Sequence, residues 1–131
     1  MPLALALTVV LALLALFQLA LALGAPLGRF AWGGAHRILP AKLRVGSLVS
    51  ILIYGFIAVV AWGRVGAIEL FPQPFAVVMM WVIFGYFVLG ILMNAISRSR
   101  SERWVMVPVA VVLAVLSFFI AMGYGELATA I

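Results

Sequence analysis

Four apolar runs, each with no Asp, Glu, Lys or Arg at its centre, take up most of this chain: Leu3 to Leu23, Val45 to Trp62, Phe75 to Ile96 and Trp104 to Gly123. At about 1.5 Å per residue, such runs reach or approach the ~30 Å hydrocarbon core of a bilayer. Lipid offers no hydrogen-bond partner to a free backbone, so runs of this kind must be helices, and none alternates as barrel strands do. The expected fold is an all-α membrane protein: a single domain over 1–131 forming a four-transmembrane-helix bundle, both termini outside.

Composition supports that reading and closes off others. Hydrophobic residues make up 69% and charged residues 8%, against roughly 45–50% and 25% in a soluble domain. Bases exceed acids, 8 to 3, but they sit at the ends of the apolar runs. That placement points to a membrane and argues against a nucleic-acid partner. Without cysteine there is no disulfide or thiolate metal site, and the single histidine, His36, cannot build a multi-histidine site. No nucleotide-binding loop is present. The sequence therefore nominates no catalytic, metal-binding or cofactor-binding residue.

The first run could be mistaken for a signal peptide. A signal peptide needs a basic leader and an apolar stretch of about 7–15 residues; this chain begins Met1-Pro2-Leu3, so the run reads as a retained span. Orientation follows from the joints. The first–second joint carries Arg29, Arg37, Lys42 and Arg44, and the third–fourth carries Arg98, Arg100 and Arg103. The second–third carries only Arg64, offset by Glu69, and the tail carries Glu126. The positive-inside rule makes the two basic joints cytoplasmic.

Local signals refine the helices. Ser99 and Glu102 have capping-box spacing: the Ser99 hydroxyl accepts from the Glu102 amide, and the Glu102 carboxylate reaches back. Pro108 falls early in the fourth helix, where a kink is expected without a break, and Pro74 stands near the start of the third. Small residues at helical spacing mark expected packing faces. They are Ala4, Thr8, Ala12, Ala15 and Ala22 in the first run and Ser47, Ser50, Tyr54, Ala58 and Ala61 in the second. The third offers Tyr86, Gly90 and Asn94; the fourth offers Ala110, Ala114, Ser117, Ala121 and Gly125. Larger residues are expected to face lipid.

The joint from Gly24 to Arg44 mixes Gly and Pro with Phe30, Trp32, Ile38 and Leu39, so it belongs at the headgroup level, either flat on the surface or re-entrant. Arg29, His36 and Arg37 would then share a face with Arg98, Arg100 and Arg103. Together they form a candidate contact for anionic lipid or a phosphate-bearing ligand. The bland alternative is that these bases only fix topology and snorkel. Gln18, Asn94, Ser99 and Glu102 are candidate structural polar groups, with Asn94 placed to cap a helix, bridge two helices or meet the Gly-rich joint.

The order Gly24-Ala-Pro-Leu-Gly, Ala31-Trp-Gly-Gly, His36-Arg, Leu39-Pro, then Met93-Asn, Ser97, Ser99, Ser101-Glu-Arg-Trp and Pro108 resembles an uncharacterised family of small four-span bacterial integral membrane proteins. The resemblance implies a multi-pass protein of the bacterial plasma (inner) membrane and carries no activity or substrate. Three functions compete. The first is an accessory or lipid-interacting bundle with a basic cytoplasmic face and the bilayer, anionic lipid, a second copy or another membrane protein as partner. The second is an oligomeric small-solute transporter or channel, which the lack of a mid-span ionisable residue disfavours. The third, a membrane enzyme using His36 and Glu102, lacks a second carboxylate or an activated nucleophile.

Overall fold

The computed structural model describes residues 2–123. Four helices form: α1 (Pro2–Ala22), α2 (Ala41–Arg64), α3 (Gln73–Ala95) and α4 (Arg100–Ala121), with no strand among the described residues. Each is long and apolar enough to cross a membrane. Helices α2 and α4 begin ahead of their apolar runs, at Ala41 and Arg100, so the first turn of each includes bases. Pro74 lies in the first turn of α3, where a missing amide costs nothing, and α4 runs unbroken through Pro108.

Sequence neighbours pair most closely, α1 with α2 and α3 with α4, and the bundle closes through α2–α3 and α1–α4. Ala4, Leu7 and Leu11 of α1 pack with Ile57, Val60 and Ala61 of α2, Met80, Ile83 and Phe87 of α3, and Leu113, Ala114 and Ile120 of α4. Small residues line the α2 and α4 seams as expected: Ser47, Ala61, Ala110, Ala114, Ser117 and Ala121 are buried. Gly125 and Glu126 lie outside the described residues.

The other two seams differ from expectation. In α1 the buried positions are Ala4, Leu7, Leu11 and Leu21, and Ala12 is exposed. In α3 they are Ala76, Met80, Ile83 and Phe87, and Tyr86 is 46% exposed. The inward stripe there runs through large side chains. Lipid and a helix interface are equally apolar, so size alone does not sort residues between them.

Polar ties between helices are few and placed toward the ends. Trp62 Nε1 donates to Thr8 Oγ1 at 2.9 Å, joining α2 to α1. Arg64, read from sequence as a loop base, instead closes α2 as a buried residue and donates to the Ala121 carbonyl at 3.3 Å. Gln73 Nε2 donates to the Gly63 carbonyl at 2.9 Å, tying the start of α3 to the end of α2.

Candidate functional site

The segment between α1 and α2 is folded rather than draped. Two 3-10 turns, Gly28–Phe30 and Trp32–Gly34, form there. Leu21, Ala31 and Leu39 make a small core of their own, against which Phe17, Leu27 and Leu43 pack. The Gly28 amide donates to the Arg37 carbonyl at 2.8 Å, closing the segment into a loop, and Arg44 Nε fastens its end by donating to the Leu39 carbonyl at 2.8 Å. A side chain at Gly28 would run into the backbone of His36.

This loop docks on both neighbouring helices. Trp32 holds φ of +53°, a left-handed conformation that costs a bulky residue about 1–3 kcal/mol. Contacts with α2 offset that cost: its Nε1 donates to Ser47 Oγ at 3.4 Å, and its ring lies where a Cβ on Gly46 would be. On the other side, the Gly33 amide donates to the Glu102 carboxylate at 2.9 Å, and Ser99 Oγ donates to the Arg29 carbonyl.

Glu102 is the centre of this junction. It is only 8% exposed, and one carboxylate oxygen accepts from both the Gly33 amide and Ser97 Oγ, the latter at 3.0 Å. The first turn of α4 adds the positive end of the helix dipole. Half of the expected capping box forms: Ser99 Oγ accepts from the Glu102 amide at 3.3 Å. The other half does not. The Glu102 carboxylate faces the loop, and the Ser99 amide donates to Ser97 Oγ at 3.1 Å instead.

Bases from two distant stretches of sequence thereby share one end of the bundle. Arg29, His36, Arg37, Arg98 and Arg100 are exposed. The Arg29 guanidinium sits 4.8 Å from the centroid of the Phe30 ring. His36 and Arg98 line one surface depression, together with Trp32, Gly33, Ser97 and Glu102. Arg103 stands apart in its use, because its guanidinium donates to the Ser97 carbonyl and braces the α3–α4 turn.

Above the loop, a half-open pocket of about 330 Å³ lies between the helices. Phe17 and Gln18 of α1, Tyr54 of α2, Tyr86 and Phe87 of α3, and Glu102 of α4 contribute to its wall, with Phe30 and Trp32 of the loop. Gln18 Nε2 donates to Tyr54 Oη at 3.4 Å. Asn94 also lines the cavity, but it reaches neither the loop nor another helix: its Nδ2 donates to the Gly90 carbonyl of its own helix at 2.8 Å. Trp32, Met93 and Glu102 line both the pocket and the surface depression, so they stand between them.

Sequence reasoning missed Gly33 and Ser97 as partners of Glu102, and Tyr54 as more than a packing residue. The usable signals were the paired glycines after Trp32 and the only tyrosine in the second run. No group of three or more His, Asp or Glu able to hold a metal occurs among the described residues. Comparison with protein-family models, curated proteins and solved structures matches nothing to this chain. The resemblance in the loop motifs therefore stands only at the level of a small protein with four long apolar helices.

Proposed function

We propose that this chain is a multi-pass, lipid-interacting protein of a bacterial plasma membrane, whose basic end faces the cytoplasm and holds anionic headgroups. The observation that carries the reading is the docking of the first joint on the α3–α4 turn through Gly33–Glu102 and Arg29–Ser99. That docking turns separate loop charges into one surface with exposed guanidiniums at its rim. Orientation rests on the charge bias of the joints, seven bases against one. Anionic lipid of the inner leaflet meets such a surface at the level where the loop's Phe30, Trp32 and Ile38 also belong.

The test removes exposed bases and spares the structural one. Arg29, Arg37 and Arg98 are replaced together by Gln, and Arg103 is kept because it braces the turn. At about 1 kcal/mol per base, the preference for phosphatidylglycerol over phosphatidylcholine should fall by on the order of a hundredfold in native mass spectrometry. Millimolar inorganic phosphate should not displace the lipid. An alkaline phosphatase fusion after Ile131, active in both proteins, checks that insertion is unchanged. A correctly inserted variant with undiminished preference would reduce the bases to topological anchors.

A further inference from the structure

The half-open pocket between the helices has a chemistry opposite to that of the rim below it. No Lys, Arg or His is among the residues that line it, and its one carboxylate is that of Glu102. Both donors to that carboxylate, the Gly33 amide and the Ser97 hydroxyl, are neutral and act on the same oxygen. A second acceptor is buried nearby: among the described residues, Gln18 Oε1 has no hydrogen-bond partner. An orphaned buried acceptor costs about 1–3 kcal/mol, and a turn of the Gln18 amide toward the pocket lets a ligand's donor recover it. The amide of Asn94 spends a donor on its own helix, which leaves its carbonyl oxygen as a further acceptor on the same wall. Aromatic faces from Phe17, Phe30, Trp32, Tyr54 and Phe87 complete the lining. Aromatic faces attract cations as well as apolar bodies.

We propose that this cavity is a binding site for a lipophilic primary amine, held with its ammonium between Glu102 and Gln18 and its apolar body against the aromatic walls. The surplus of acceptors selects a ligand with several donors, and the buried carboxylate selects positive charge. At ~30 Å³ per water-sized group, the volume admits roughly ten such groups, the size of a phenylalkylamine. This site takes a different ligand from the headgroup surface, although both rest on the docked loop and Trp32 and Glu102 border both.

The experiment compares 2-phenylethylamine, cationic at neutral pH, with propylbenzene, its neutral isostere, by calorimetry on the full chain in zwitterionic nanodiscs, with empty nanodiscs subtracted. The amine should bind at least tenfold more tightly than the isostere. Glu102→Gln should erase that preference, and Gln18→Leu, which leaves the loop junction intact, should weaken the amine severalfold even if the Glu102 variant misfolds. Gly90→Leu fills the cavity from a position where an added Cβ meets nothing within 4 Å, and it should abolish binding of both probes. The proposal is overturned if the amine does not bind, if the two probes bind alike, or if the amine survives Gly90→Leu or keeps its full affinity in Gln18→Leu.

Discussion

At the scale of single residues, one carboxylate at the start of α4 ties the first loop to the α3–α4 turn. Glu102 caps nothing with its side chain; it receives the Gly33 amide from the loop and the Ser97 hydroxyl from the turn before α4. The loop can reach it only because the backbone at Trp32, Gly33 and Gly34 holds positive φ throughout. The two glycines differ in what surrounds them. A Cβ at Gly33 would meet nothing within 4 Å, whereas one at Gly34 would lie 2.4 Å from the Cβ of Ser99. Gly33→Ala should therefore cost only the left-handed backbone, about 1 kcal/mol, and Gly34→Ala a further 1–3 kcal/mol of steric displacement. Thermal melting of the two variants in detergent should rank Gly34→Ala clearly lower. Equal melting points would mean that the loop does not pack on the α3–α4 turn.

At the scale of elements, the helices and the cap at Ser99 are legible in the sequence, and two of the four packing faces are not. Apolar length alone requires helices in lipid, and Ser99 announces the start of α4. The faces of α1 and α3 elude the small-residue rule because leucine or phenylalanine is as much at home in a helix interface as in lipid. Leu7, Leu11 and Phe87 turn inward while Ala12 faces out. The difference is measurable. Ala4 is fully buried, so Ala4→Leu should lower stability by about 1–3 kcal/mol through overpacking, and Ala12→Leu should change it little. If Ala12→Leu is as harmful as Ala4→Leu, the α1 seam runs through the alanines after all. The loop was the least legible element, since its fold depends on backbone groups that composition does not reveal. Its glycines and aromatics mark it as unusual, but no residue in it names Glu102 as a partner.

At the scale of the whole molecule, the chain divides its polar chemistry between two ends and a cavity. One end ties α2 to α4 through Arg64 and the Ala121 carbonyl. The other gathers bases on a folded loop, and between that loop and the bundle core lies an acceptor-rich space walled by Trp32 and Glu102. Both functional proposals depend on the loop being docked, and the absence of native cysteine makes that docking accessible to a clean test. Ala35 and Arg98 lie on opposite sides of the junction and line the same depression. Cysteines placed at both positions should be joined by a short bis-thiosulfonate reagent in native membrane vesicles. Glu102→Ala in that background should reduce the yield severalfold, and a pair at Ala35 and Ala67, from opposite ends of the bundle, should give none. Cross-linking of the Ala35–Arg98 pair no better than that control would contradict the docked loop and the single basic surface built on it.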